Sequence, residues 1–179
     1  LKDGDQIDII SVLNSVYGYL AVEGGFKTDL SFGSSSTNTN ASLGGNNGKK
    51  ISDTDQITLN NKNSNNLTKK LNYINSKIEY IRVIKATNYN YFTDISKNNF
   101  FTKEFIVSKF SDRMGMRLSG PILKNNVSTN IRSEGIIKGV IQIPPDGSPI
   151  IMLSDHGTIG GYPKIASVIS ADFDKVSQL

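Results

Sequence analysis

The groups best able to do chemistry lie between Arg113 and Lys164. Arg113 and Arg117 flank Gly115, and on an extended strand all three share one face. Two guanidinium forks with a glycine between them suit a planar anion such as a carboxylate. The same spacing also suits two surface arginines on an edge strand. Glu134 follows Arg132-Ser133 and precedes Gly135, a setting for a general base, an orienting carboxylate or a salt bridge to a nearby arginine. Gln142 ends an apolar run just before Pro144-Pro145-Asp146-Gly147, whose backbone is preset for a turn. There its amide can both donate to and accept from an amide-like ligand, while the turn itself reads as architecture. Asp155-His156-Gly157-Thr158-Ile159-Gly160-Gly161-Tyr162-Pro163-Lys164 places titratable and hydroxyl groups on a glycine-rich loop between apolar runs. Polar loops held by such runs are where function tends to lie, and the glycine pair suits close approach of a ligand or another chain. A lone histidine such as His156 is more often structural or exposed than catalytic.

Composition removes other chemistries. The 179 residues contain no cysteine and one histidine. Disulfides, thiolate metal sites, cysteine nucleophiles and multi-histidine metal sites are therefore excluded. The 20 cationic and 16 acidic residues leave a net charge of +4. The lysines are spread along the chain without a basic, aromatic-interleaved stripe, so no nucleic-acid partner is expected. No run of about 18 apolar residues marks a membrane span. Gly44-Gly45-Asn46-Asn47-Gly48-Lys49-Lys50 is one residue short of a phosphate-binding loop and ends in Lys50 where Ser or Thr belongs. Leu1-Lys2-Asp3-Gly4-Asp5 is polar, unlike a signal peptide, and the missing initiator Met leads us to expect part of a longer protein.

The elements that must position these residues are mostly strands, because apolar residues recur with period two. Strands are expected at Gln6–Val12, Tyr17–Glu23, Ile51–Leu59, Glu79–Ile84, Phe105–Val107, Arg113–Leu118, Ile136–Ile143, Ile150–Leu153 and Lys164–Ala171, the last one central. Loops are expected over 27–50 and 60–75. The best helix is Thr93–Phe101, with Thr93 or Asp94 as N-cap. Many strands and little helix favour a barrel or closed sheet.

Three longer segments carry a resemblance. Arg113-Met114-Gly115-Met116-Arg117-Leu118-Ser119-Gly120-Pro121 resembles R-M-G-Y-R-L-x-G-P. Ser133-Glu134-Gly135 with Gly139-Val140-Ile141-Gln142-Ile143-Pro144-Pro145-Asp146-Gly147 resembles S-E-G…G-x-I-Q-V-P-P-D-G. Gly160-Gly161-Tyr162-Pro163-Lys164-Ile165-Ala166 resembles G-G-Y-P-K-I-A. Upstream, Tyr19–Gly25 is similar to Y-L-A-V-x-G-G, and Leu43-Gly44-Gly45 to the L-G-G that follows it. These are motifs of the biotin-dependent carboxyltransferase group that contains the C component of 5-oxoprolinase, KipA and allophanate hydrolase subunit 2.

The resemblance implies a mainly β, cyclophilin-like β-barrel with one or two short helices, lacking N-terminal strands. Residues 1–179 would be the C-terminal part of a KipA-like domain. It implies a subunit of an ATP-dependent 5-oxoprolinase, opening 5-oxoproline to glutamate with a KipI-like subunit (the B component of 5-oxoprolinase) and a third subunit. Other family roles are a carboxyltransferase acting on urea or a related amide with carboxybiotin, and a non-enzymatic antagonist of a KipI-like kinase inhibitor. ATP would be used by the assembled enzyme, biotin belongs to the carboxyltransferase role, and no metal site is expected. A small amide substrate and a cytoplasmic setting are expected, with no membrane partner. Glu134, Tyr162 and Lys164 become the expected catalytic residues. Arg113, Arg117, Gln142, His156 and Thr158 become the expected substrate-binding residues. The arginines would hold a carboxylate or carbonyl, Gln142 would read the amide, Glu134 or Tyr162 would handle protons or orientation, and Lys164 would supply positive charge. The chain departs from the family at Met116, usually Tyr, at Ser35, usually Arg, and at His156-Gly157, often an Arg-Gln or Gly-Gln pair. His156 would partly replace that pair.

Overall fold

A computed structural model of the protein describes residues 4–12, 16–60 and 78–179. The chain divides into two compact units, one drawn from Leu1–Tyr17 and Ser76–Leu179, the other from Gly18–Asn75. The first unit carries, in order, β1 (Val83–Lys85), α1 (Asp94–Thr102), β2 (Ile106–Val107), β3 (Gly115–Ser119), β4 (Glu134–Gly135), β5 (Val140–Gln142), β6 (Ile150–Met152), β7 (Ile159–Gly160), β8 (Lys164–Val168) and α2 (Phe173–Val176). Six strands form one antiparallel array in the order β1-β8-β5-β6-β3-β2, and β4 pairs with β7 in a separate ribbon. The class is mainly β with two short helices, as expected. Among the described residues the array stays open, with β1 and β2 at its edges, and no closed barrel forms.

Register sorts side chains between the two faces of the array. Met116 pairs with Ile151, Ile151 with Ile141 and Ile141 with Ala166. Cross-strand partners share a face, so these four form one row, and all four are buried. With Phe92, Leu123, Ile143, Leu153, Ile165, Val168 and Val176 they make up the core. Each fully buried aliphatic or aromatic side chain there contributes roughly 1.5–3 kcal/mol by leaving water. Residues one position along β3, β6 and β5 point the other way, and on β8 Lys164, two positions from Ala166, joins them across a register shift. They form the row Arg117, Ile150, Gln142 and Lys164 across β3, β6, β5 and β8. β8 lies between β1 and β5, the interior place expected from its apolar run.

Thr93 caps α1: its Oγ1 accepts from the Ser96 N–H at 3.1 Å. Ser96 Oγ in turn accepts from the Lys124 N–H at 2.7 Å, which ties the helix start to the chain after β3. At the C-terminal end Asp172 is fully buried and accepts from the Arg82 backbone N–H, Nε and Nη2 at 2.8, 3.0 and 2.7 Å. Lys175 Nζ adds a contact at 3.1 Å. These bonds hold the segment before α2 against the chain entering β1.

Three expected strands are absent. Residues 6–12 form no ladder, and Ile9 and Ile10 are exposed. Residues 17–23 and 51–59 form no strand apart from a single bridge, Phe26 with Leu59. Tyr19, Leu20, Ile51 and Ile57 are exposed. Alternating apolar residues specify a strand only when one face is buried against a neighbour, and these segments have no such cover among the described residues. Residues 27–50 are turns, two bridged hairpins and one 3-10 turn at Asn46–Gly48. The expected loop over 60–75 lies outside the described residues save for Asn60.

Candidate functional site

The site is built where β5 ends, β8 begins and the β4–β7 ribbon passes. The β5–β8 register shifts between Ile141 and Gln142: Ile141 faces Ala166, whereas Gln142 faces Lys164, leaving Ile165 as the extra residue. Such bulges re-aim a side chain, and here the shift sets Lys164 beside Gln142. Lys164 is nine-tenths buried, and its Nζ donates to the Glu134 carboxylate on β4. Its backbone N–H cannot join the β1–β8 ladder, which stops at Lys85 and Ala166. It donates instead to the side-chain oxygen of buried Asn88 at 3.0 Å.

Gln142 is buried too, and its Nε2 donates to the Tyr162 carbonyl at 3.2 Å. Among the described residues its Oε1 has no hydrogen-bond partner. No fully buried side-chain polar atom among these residues is unpaired, so Oε1 keeps access to solvent. Gln142 therefore presents a free acceptor and a second N–H beside a lysine. Gly160 is needed at this point: a Cβ there would lie 2.8 Å from Gln142 Nε2 and 2.3 Å from the Ile136 δ-methyl. The close approach that Gly160-Gly161 allows is thus made by groups of the same chain, side chains at Gly160 and the Ile131 carbonyl at Gly161. The ribbon is closed by Ile136 N–H to the Thr158 carbonyl and Ile131 N–H to the Gly161 carbonyl, both at 2.9 Å.

The structure brings Glu134, Gln142 and Lys164 together, with the backbone of Tyr162 joining them. The Tyr162 side chain is partly exposed. Arg117 is exposed on the same sheet face as Gln142, two strands away, or roughly 10 Å at ordinary strand spacing. Arg113 is not paired with Arg117 in a clamp. Its fork meets Asp155, Nε to Oδ2 at 3.0 Å and Nη2 to Oδ1 at 3.2 Å. The space over Gly115 is also taken, because a Cβ there would lie 2.8 Å from the Ile150 γ-methyl. His156 Nδ1 lies 2.6 Å from the Gly157 carbonyl, and Thr158 is exposed on the same loop. Met116 faces the core and is buried, so the Tyr-to-Met departure alters packing rather than the polar set. Among the described residues no group of His, Cys, Asp and Glu could hold a metal ion, and no helix is long and apolar enough to cross a membrane.

Sequence reasoning missed Asn88 and Asp155. Asn88 meets Lys164 across 76 positions, which no local pattern signals. Asp155 opens the loop singled out above, and its charge beside a strand end was the available sign.

The family model for the carboxyltransferase domain, subdomain A and B, matches residues 1–179. The chain is 32% identical over 183 residues to the 5-oxoprolinase C component of Escherichia coli, covering all of this chain and 58% of the relative. It is 35% identical over 180 residues to the 5-oxoprolinase C component of Haemophilus influenzae, again covering 58% of that protein. The chain thus spans less than two-thirds of the length of these curated relatives. Among solved structures it is similar to the Kluyveromyces lactis urea carboxylase, with a TM-score of 0.74 and 25% identity over 87% of this chain and 16% of that one. The K. lactis urea amidolyase matches with the same score and identity, covering 11% of that chain.

Proposed function

The chain belongs to the carboxyltransferase domain, subdomain A and B, family, and on that premise we propose that it is part of a 5-oxoprolinase subunit whose substrate site is the Glu134–Gln142–Lys164 cluster. The observation that carries this reading is Gln142, a buried amide with a free acceptor, set in register with a buried lysine. A cyclic amide such as 5-oxoproline offers a ring N–H, a ring carbonyl and a carboxylate. Gln142 Oε1 accepts from the N–H, Lys164 or Arg117 attracts the carboxylate, and Glu134 orients or takes a proton. The curated relatives, at 32–35% identity, are named as the C component of 5-oxoprolinase.

Nucleotide chemistry is assigned to partner subunits, a KipI-like subunit and a third one. The glycine-rich stretch near Lys49 does not form a phosphate cradle: the Gly48 N–H bonds the Gly44 and Gly45 carbonyls, and the Lys49 N–H bonds the Asn46 carbonyl. A second reading, carboxyl transfer to urea or a similar amide, is favoured by the likeness to urea carboxylase. Carboxybiotin would supply the transferable carboxyl group. The donor set suits it, since Lys164 faces a carboxylate and Gln142 an N–H or carbonyl of a ureido ring.

The test is to purify the full-length protein with its co-encoded partner subunits and assay it on both substrates. ATP-dependent release of glutamate from 5-oxoproline is the expected result. Activity only with urea, bicarbonate, ATP, a biotin carboxylase and a biotinyl carrier would favour the second reading, and no turnover of either kind would contradict both.

A further inference from the structure

We propose that Glu134 is a resident placeholder in an anion site whose fixed cation is Lys164, and that a carboxylate or carboxyl group of the substrate takes the position of the Glu134 carboxylate. The inference rests on the reading of this cluster as the substrate site.

The two partners of this ion pair are held very differently. The Lys164 side chain is 6% exposed and the Glu134 side chain 44% exposed. Lys164 is held in the fold: Pro163 and Ile165 beside it are fully buried, and its backbone N–H is held by Asn88. Glu134 stands on a two-residue strand whose ladder partner is the equally short β7. Arg132, Ser133 and Gly135 around it are exposed, and no other atom lies within 4 Å of where a Cβ on Gly135 would stand. A buried ammonium left bare is strongly disfavoured, so Lys164 always needs an anionic or acceptor partner. A half-exposed carboxylate, by contrast, leaves for water at little cost. The pair is therefore built for exchange of the acid, with the base staying in place. The anion that enters meets Gln142 Oε1 and its second N–H alongside. This selects a ligand with a carboxylate or transferable carboxyl group next to an amide-type N–H or carbonyl. On exchange, the Glu134 carboxylate gives up Lys164 to the ligand and remains on β4 beside the site, free to orient the ligand or take its proton.

Acetate is the probe. It is titrated at constant ionic strength into the full-length protein, and binding is read from the NMR shifts of the Gln142 side-chain amide and the Lys164 backbone amide. Wild-type protein should bind weakly, because Glu134 competes. Glu134→Ala, and Glu134→Gln to a lesser degree, should bind about tenfold tighter or more at the same resonances, and Lys164→Met should abolish binding. Unchanged or weaker binding in Glu134→Ala overturns the proposal, as do shifts confined to other residues. Should circular dichroism show that Glu134→Ala is unfolded, Glu134→Asp serves. Its shorter reach weakens the competition, so it should bind acetate more tightly than wild type, and equal affinity overturns the proposal. The two levels separate cleanly. If acetate follows this pattern while turnover of the assembled enzyme survives Lys164→Met, the anion site stands and the functional reading falls. If turnover is lost in Lys164→Met while Glu134→Ala gains no acetate affinity, the placeholder falls and the functional reading stands.

Discussion

Gly160 and Asp172 show how much a single residue carries in this molecule. An alanine at 160 must push aside both the Ile136 methyl and the Gln142 amide. Both are ends of flexible side chains, so Gly160→Ala should cost only about 1 kcal/mol of stability. The displaced Gln142 amide should nevertheless cut turnover of the assembled enzyme by about tenfold or more. Chemical denaturation set beside steady-state rates checks both, and turnover within a factor of about two of wild type in the folded variant would count against the role of Gln142. Asp172 works through charge. The Arg82 side chain and backbone N–H groups hold its carboxyl well below the ordinary value of 3.8. A carboxyl depressed in the folded state binds protons more readily when unfolded. Its stabilisation is therefore fully present above about pH 4 and is lost as pH falls below that. Asp172→Asn should lower Tm at pH 7 and flatten the fall of Tm between pH 4 and pH 2; a wild-type acid profile in the variant would contradict the assignment. At this scale the sequence singled out Glu134 and Gln142 by residue type and position, and Lys164 through the family resemblance; the structure sets the three side by side. It could not tell that Arg113 is engaged by Asp155 or that Asn88 holds Lys164. Both depend on partners that only the folded chain brings close.

Strand register is what brings the cluster together. Gln142 and Lys164 meet because the β5–β8 ladder slips by one residue, and a slip of that kind changes which side chain faces which. The period-two pattern disclosed the strands around 79–84, 105–107, 113–118, 136–143, 150–153 and 164–171, and the Thr93 cap disclosed α1. Boundaries and the bulge stayed hidden, since both are set by pairing between distant segments. Where the pattern misled, at 6–12, 17–23 and 51–59, the apolar residues lack a covering face. Helix α1 is short, so its cap matters: Thr93→Ala removes the acceptor for the Ser96 N–H and should cost about 1 kcal/mol. Denaturant titration reads that loss directly, and a change below a few tenths would mean that the bond between Ser96 and Lys124 anchors the helix start alone.

On the scale of the whole molecule, the chain is two compact units that together match one family model from end to end. It spans 58% of the length of its curated relatives. Among the described residues its six-stranded array is open, with β1 and β2 at its edges, and an unpaired strand edge can be extended by further strands. The account predicts that the cluster on the face opposite the core is the reactive centre of a larger assembly. The most direct measurement is ATP-dependent 5-oxoproline cleavage by the co-purified complex carrying Lys164→Met in the full-length protein. We predict a fall of at least about a hundredfold with the complex still assembled by size-exclusion chromatography. A rate within a factor of about two of wild type in an intact complex would contradict the placement of the site.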